Sequence, residues 1–423
     1  MRKQYYIGVP SIVVLSLLPV LFWFLQTDLS RHNNFTLIMR DFGQITGLVG
    51  ITMFALTIIL SGRYKWMENY FGGLNRIYIV HHALGALAFL LILIHPMMLV
   101  AGRLAVSVRF AVSLYIPSTD WGLDLGRVAL AIMIVLLAIT LYAQIRYNIW
   151  KSTHTYLDLV FIFAFFHSLL SGSNMRGGGL LEYYLIILSS LAVLTMLYRR
   201  RPNKNIAFAV RSIGAIGNNI TAITLQSSTG VGMSYAPGQF IFIKFDTDSF
   251  RESHPFSIVS APSDKEVSIW VKSLGDYTNR IREINIGTSA KVEGPYGKFI
   301  DWGGAPANMV WVAGGIGVAP FVSMAKSLPA GRRADLFYSY DNSDDEKVVA
   351  ILTRIKKANV RIIPWNSKKM GYINAGCLVK YSGELKGKEF YICGPPPMMK
   401  SLRKQLSSSG VANNEIHTEE FVL

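Results

Sequence analysis

Four histidines in two apolar stretches set the chemistry open to this chain. His81 and His95 stand 14 positions apart in a run from Tyr78 to Gly102, and His154 and His167 stand 13 apart in a second run. In an α-helix, 14 residues return a side chain to nearly the same face, about four turns and ~21 Å along the axis. Thirteen residues leave more angular error but a similar vertical separation. Each helix would offer one imidazole near each face of a bilayer, and two such helices can sandwich two flat cofactors stacked across it. Haem iron with two axial imidazoles suits that arrangement. One histidine in an apolar helix is explained by a hydrogen bond to nearby backbone. Two spaced pairs are a different matter, because ionisable groups inside a membrane are costly and mark functional sites. His82 competes with its neighbour as the partner of His95, but a 13-residue step would point it roughly 140° away. Helical phase selects His81.

The elements that must hold these side chains are apolar spans. Six are expected, at about 6–26, 42–62, 78–101, 125–145, 154–172 and 180–198, each near the ~20 residues that cross a hydrocarbon core. The first follows Met1-Arg2-Lys3 and ends in Phe22-Trp23-Phe24-Leu25-Gln26 with no small-residue cleavage site, so it reads as a span and not as a signal peptide. With the N-terminus inside, eleven Lys and Arg fall on inner segments and six on outer ones. That bias places both termini in the cytoplasm. His81 and His154 then lie near the inner face, and His95 and His167 near the outer. Gly43, Gly47 and Gly50 share one side of the second span; close helix packing accounts for them, and the same small face would admit a porphyrin. Asp158, one turn beyond His154, is an acid inside a span that is either neutral and hydrogen-bonded, or orients a ligand, or relays a proton. Phe161 reads as bundle core and as a bridge between two haems.

Charge and cysteine content close off other classes. The 423 residues carry a formal net charge of +16, yet no basic–aromatic module for nucleic acid appears, and much of the excess sits at span ends. Two cysteines, Cys377 and Cys393, make no disulfide framework and no metal-ligand spacing. Residues beyond 205 read as water-soluble. Ile220–Leu225 and Gln239–Lys244 alternate as strands of a β-barrel. His254-Pro255-Phe256-Ser257 can lay an aromatic ring and a hydroxyl along a flavin, while Lys272 and the Gly275–Thr278 turn suit a pyrophosphate. Met309–Ala313 runs as an apolar strand into Gly314-Gly315-Ile316-Gly317 and then into a helix through Pro320. In that context backbone amides face phosphates. Ala334–Tyr340, Val360–Pro364 and Glu389–Cys393 continue a doubly wound α/β pattern, the last turning at Cys393-Gly394-Pro395.

Over nearly its whole length the chain resembles the NADPH oxidase and ferric reductase superfamily. Leu74-Asn75-Arg76, with His81 five residues after the arginine, resembles the family's Leu-Asp-Arg and first haem histidine. His254-Pro-Phe-Ser257 resembles its flavin-binding His-Pro-Phe-Thr, and Gly275-Asp-Tyr-Thr278 its Gly-Asp-Trp-Thr. Gly294-Pro-Tyr-Gly297, the Gly314–Pro320 turn and Cys393-Gly-Pro395 also match. The resemblance implies a six-helix haem domain at 1–202, an FAD-binding β-barrel at 203–302 and an NAD(P)H-binding α/β domain at 303–423. It implies FAD and two b-type haems as cofactors, Arg76 as partner of a haem propionate, and Cys393 and Phe421 bordering the nicotinamide. Electrons would pass from NAD(P)H through FAD and both haems to dioxygen or a ferric chelate outside a plasma membrane. A membrane electron donor to a partner protein is the reading from another class. The match has gaps. Leu99 stands where oxygen-reducing members carry a further histidine. Asp341-Asn342 follows Tyr340 where NADPH-selective relatives hold an arginine, with Lys368 and Lys369 on the next loop as substitutes. The terminal aromatic, Phe421, is followed by Val422 and Leu423.

Overall fold

The apolar runs fold as helices because in hydrocarbon every backbone amide must be satisfied within its own segment. A computed structural model describes residues 7–28, 34–142, 147–171, 179–201, 205–230, 232–300, 302, 306–355 and 357–419. Among these residues, six helical spans are long and apolar enough to cross a membrane, the fifth, Ile149–Ser171, being counted across a break. In chain order the helices are α1 (Gly8–Gln26), α2 (Phe35–Leu60), α3 (Lys65–Phe71), α4 (Leu74–Leu104), α5 (Val108–Val112), α6 (Trp121–Tyr142), α7 (Tyr147–Thr155), α8 (Leu157–Ser171) and α9 (Leu180–Arg199). Two differ from the expected spans in an instructive way. α2 begins seven residues before position 42, because the Asn34 side chain accepts from Leu37 N at 2.9 Å and caps it. The fifth span, expected as one helix, breaks at Tyr156 into α7 and α8.

α2 is the most buried of the spans and packs on α1, α8 and α9, while α6 packs on α8. Several polar side chains inside the bundle are paired. Trp23 Nε1 donates to Gln44 Oε1 at 3.0 Å, Tyr184 OH to Leu15 O at 2.6 Å, and Tyr64 OH meets Thr195 Oγ1 at 3.0 Å. Asp158 is buried, and its two oxygens accept from Arg199 Nη2 at 2.6 and 2.7 Å. Arg200 approaches the same carboxylate at 3.7 Å. The acid inside the fifth span is therefore an ion-pair partner of the last one, and ties α8 to α9. Phe161 is wholly buried with its ring edge-on to Phe54 at 5.3 Å, a core contact.

The second unit contains two sheets. The antiparallel one has strands β1 (Ile206–Ile216), β2 (Ile220–Ser227), β3 (Phe240–Phe245), β4 (His254–Ser257), β5 (Val267–Lys272) and β6 (Ser289–Tyr296), in the order β4-β3-β6-β1-β2-β5. A short helix, α10 (Asp276–Asn279), follows β5. Then come β7 (Asn308–Gly314), α11 (Ala319–Ser327), β8 (Arg333–Tyr340), α12 (Ser343–Thr353), β9 (Val360–Asn366), α13 (Ser367–Met370), α14 (Ala375–Ser382), β10 (Glu389–Cys393), α15 (Pro396–Ser408) and β11 (Ile416–Glu419). These five strands are all parallel, ordered β11-β10-β7-β8-β9. β7 is central and buried on both faces. Val310 and Val312 enter one core, and Trp311 and Ala313 the other, as the two-residue period of a strand requires. Strand order reverses between β7 and β10, so the carboxyl ends of those two strands form the switch point where such sheets bind ligands.

Candidate redox cofactor sites

The histidines predicted as ligands meet in pairs. His81 and His154 have ring centroids 6.4 Å apart, and His95 and His167 6.2 Å. Twice a metal–imidazole bond of about 2 Å, plus the reach from each bonded nitrogen to its ring centre, comes to roughly 6 Å. Three rings are held by the opposite nitrogen. His81 Nδ1 lies 2.9 Å from Thr57 O, His95 Nδ1 2.7 Å from Gly43 O, and His167 Nδ1 2.8 Å from Gly122 O. A carbonyl can only accept, so each Nδ1 carries the proton and each Nε2 keeps its lone pair for a metal. His82 has its ring 5.6 Å from that of His81 and stands off the pairing. Arg76 is exposed on α4, five residues before His81.

The spacing along α2 explains how the seats are built. Gly43 and Thr57, which supply the carbonyls, are 14 residues apart, as are His95 and His81 on α4. One helix face therefore serves both histidines. Glycines clear the way: a Cβ at Gly47 would lie 2.7 Å from His95 Nδ1, and one at Gly126 would lie 2.6 Å from His167 Nδ1. α2 and α6 thus use the same device. A glycine carbonyl accepts from the ring, and a second glycine four residues on leaves room for it. The sequence reading found Gly43 and Gly47 but not Gly122 and Gly126, whose signal was the same four-residue spacing beside a histidine span. Leu99 packs over Gly43, with a Cβ there only 2.8 Å from Leu99 Cδ2.

These residues fit haem. Among the described residues, no group of three or more His, Cys, Asp or Glu converges as a metal site. Any metal taken by two imidazoles must bring its other ligands with it, as a porphyrin does.

On the β-barrel, β4 carries the flavin motif. His254 pairs with Ile243, Pro255 with Phe242, Phe256 with Ile241 and Ser257 with Phe240 on β3. The His254 ring lies 3.9 Å from that of Tyr277, and its Nε2 is 3.2 Å from Glu252 Oε2. Tyr277 was not singled out beforehand. Its hydroxyl is buried with no hydrogen-bond partner among the described residues, and burial, reinforced by Glu252, pushes its pKa up. Lys272 ends β5. Thr278 Oγ1 accepts from Leu274 N at 2.9 Å and Gly275 N at 3.0 Å. That hydroxyl shapes the turn.

At the switch point, two turns approach backbone to backbone. A Cβ at Gly314 would lie 2.8 Å from Pro395 Cδ, and one at Gly317 would overlap the Cys393 carbonyl and sit 2.8 Å from Gly394 N. Gly315 has φ +52°, and a Cβ there would be 3.6 Å from Lys272 Nζ, so the barrel's lysine reaches the glycine turn of the α/β domain. Pro320 sits in the first turn of α11, where its missing N–H costs nothing. α11 also latches onto the barrel. Ser323 Oγ donates to Ser260 O at 2.6 Å and Lys326 Nζ to Val259 O at 3.2 Å. Cys393 is fully buried, and burial with Glu419 beside it raises its thiol well above the usual range. Asp341 is exposed at the end of β8, and Lys368 and Lys369 follow β9. The two turns are neighbours, since Tyr340 pairs with Asn366 and Ser367 Oγ donates to Tyr340 O at 3.1 Å. Phe421 lies outside the described residues.

Comparison with known proteins bears on all three parts. A ferric reductase like transmembrane component matches residues 46–165, an FAD-binding domain 205–299 and an oxidoreductase NAD-binding domain 311–404. The respiratory burst oxidase homolog protein E of Arabidopsis thaliana is 28% identical over 196 residues, 39% of this chain and 18% of that one. Together these matches fit the NADPH oxidase and ferric reductase superfamily. The chain is a multi-pass membrane protein with flavin- and nicotinamide-binding oxidoreductase domains. The family's dehydrogenase half is shared more widely. A ferredoxin–NAD(P)(+) reductase component of naphthalene 1,2-dioxygenase/salicylate 5-hydroxylase systems from Ralstonia sp is 24% identical over 203 residues, 45% of this chain. The chain spans 61% of the length of that reductase. A flavohemoglobin from Malassezia yamatoensis has a TM-score of 0.52 at 16% identity, over 91% of this chain and 98% of that one, a likeness of fold.

Proposed function

We propose that the chain carries electrons from NAD(P)H across a plasma membrane to an acceptor at its outer face, and that this acceptor is dioxygen, giving superoxide. Residues 1–202 form the conduit, 203–302 hold the flavin and 303–423 the nicotinamide, with the last two in the cytoplasm. The observation that carries this reading is the two imidazole pairs with ring centroids 6.4 and 6.2 Å apart, three of the four rings fixed by a carbonyl at Nδ1. When bound, FAD would supply the conversion of a hydride into single electrons, and two b-type haems a relay for them.

The chain's own residues do the placing. His81 with His154, and His95 with His167, would hold haem iron, and Arg76 would offer its guanidinium to a propionate. Pro255, Phe256 and Ser257 lie along the flavin, His254 and Tyr277 wall it, and Lys272 with the Gly275–Thr278 turn meets its pyrophosphate. Gly314, Gly315 and Gly317 let the nicotinamide's phosphates approach backbone amides ahead of Pro320. Cys393, Gly394 and Pro395 would close the other side, and Phe421 is assigned to border the nicotinamide by the family resemblance alone. The Cys393 thiol stays protonated in its buried place, so it shapes the pocket and excludes water instead of acting as a nucleophile.

A ferric chelate is the second acceptor, favoured by Leu99, which has no proton to give a bound oxygen species. Purified enzyme with NADH or NADPH, scored for cofactor content, superoxide and ferric reduction, tests the whole reading. Absence of haem, or no NAD(P)H-dependent flavin reduction, would overturn it.

A further inference from the structure

Three of the four paired histidines are oriented by a backbone carbonyl at Nδ1; His154 is not. Its Nδ1 is buried with no hydrogen-bond partner among the described residues. The local fold accounts for this. The helix carrying His154 ends at Thr155 and resumes at Leu157, so His154 stands off the continuous line of α8 that brings His167 to Gly122 O. Asp158, the nearest acid along the chain, has both oxygens engaged by Arg199, with Arg200 also close. What His154 does have is Trp150, one turn earlier on the same face of α7. The two rings stack with centroids 5.2 Å apart and 22° between their planes.

We propose that Trp150 is the positioning residue for His154, fixing by ring stacking the orientation that carbonyls fix for the other three, and that His154 is the weakest and most exchangeable ligand of the four. This rests on the reading of the histidines as haem ligands. An imidazole that binds iron through Nε2 carries its proton on Nδ1, and giving that proton to a carbonyl raises the basicity of Nε2. His81, His95 and His167 receive that reinforcement. Stacking restricts rotation of the His154 ring but takes no proton, so its lone pair is the least basic. The outer pair is thus matched, Gly43 O against Gly122 O, and the inner pair is lopsided, Thr57 O against nothing. An added ligand should enter at the inner site, on the His154 side.

The test uses the full chain in detergent and reads the metal, not turnover. In wild type, low-temperature EPR of the ferric form should give two low-spin signals; the inner one is assigned by its loss in His81→Ala and the outer by its loss in His167→Ala. Trp150→Ala should abolish or broaden only the inner signal and open a carbon monoxide band on reduction, and Trp150→Phe should restore the wild-type spectrum. A Trp150→Ala protein with both signals intact, or with the outer one equally disturbed, would overturn the proposal. Should that variant fail to fold, imidazole titrated into wild type gives an independent answer. Loss of the inner signal first supports the proposal; loss of the outer first, or of both together, overturns it. Wild type that purifies without haem would instead sink the reading beneath it.

Discussion

A hydrogen bond at one ring nitrogen separates His81 from His82. His81 Nδ1 is tied to Thr57 O at 2.9 Å and its ring faces His154, so its Nε2 is aimed and unprotonated. His82→Ala should therefore keep two haems per chain, whereas His81→Ala should keep about one, as counted by pyridine haemochrome. Loss of a haem from His82→Ala would reverse the choice. A second residue-scale contrast concerns the cysteines. Thiol alkylation proceeds through the thiolate. Cys393 is fully buried, and both burial and Glu419 hold its pKa up, so between pH 7 and 9 it stays a neutral thiol; Cys377 is partly exposed. Native protein treated with iodoacetamide should take label at Cys377 and not at Cys393, and urea should expose the second site. Prompt labelling of Cys393 in the native state would mean that the pocket wall opens.

At the scale of elements, the glycine seats make a sharp demand. A Cβ at Gly126 would press to 2.6 Å of His167 Nδ1, and overpacking of that kind costs about 1–3 kcal/mol. Gly126→Ala should lower occupancy of the outer haem and leave the inner one, measured by reduced-minus-oxidised spectra; equal loss of both would point to a general failure of packing. Much of this was legible beforehand. A step of 14 residues in an apolar helix fixes a face and a depth for His81 and His95, whereas the 13-residue step from His154 to His167 gave the depth but not the face, and the helix breaks at Tyr156 between them. The second helix's Gly43 and Gly47 were visible but had an ordinary explanation in helix packing. What spacing could not give was the partner of each Nδ1, since carbonyls are present at every residue and only the packing of α2 on α4 selects Thr57 and Gly43. The Asp158–Arg199 pair was hidden for the same reason, as 41 residues separate its members. In the α/β domain the strands were clear from their apolar runs, but the latch from Ser323 to Ser260 was not, because a serine in a helix carries no distinctive pattern. The adjoining turns after β8 and β9 leave a specificity question that charge answers. Asp341 would repel a 2′-phosphate and accept from a free ribose diol, while Lys368 and Lys369 pull the other way. Initial rates should show NADH used at least as well as NADPH, and Asp341→Ala should move the ratio towards NADPH. A preference for NADPH of about a hundredfold, roughly 2.7 kcal/mol, in the unaltered enzyme would mean that the lysines dominate.

For the whole molecule, the proposed function puts the choice of acceptor beside His95 and His167. With both imidazoles of the pair on the iron, a bound haem would leave dioxygen to take its electron at a distance. Leu99 packs over Gly43 beside the His95 carbonyl and offers neither a proton nor a hydrogen bond to the product. Superoxide formation needs neither, since one electron passes and no proton need follow. Nothing in that arrangement selects dioxygen over another one-electron oxidant of suitable potential. Both acceptors should therefore be served, with ferric chelate competing well. NAD(P)H oxidation would be followed under air and under argon, each with and without a ferric chelate, with superoxide scored separately. The expected outcome is turnover in air with superoxide, turnover under argon only when chelate is present, and a fall in superoxide as chelate is added in air. Rapid ferric reduction under argon with no superoxide in air would make the chain a dedicated ferric reductase. In that case the Leu99 side chain would be read as excluding dioxygen from the haem edge, and Leu99→His would be the substitution to admit it.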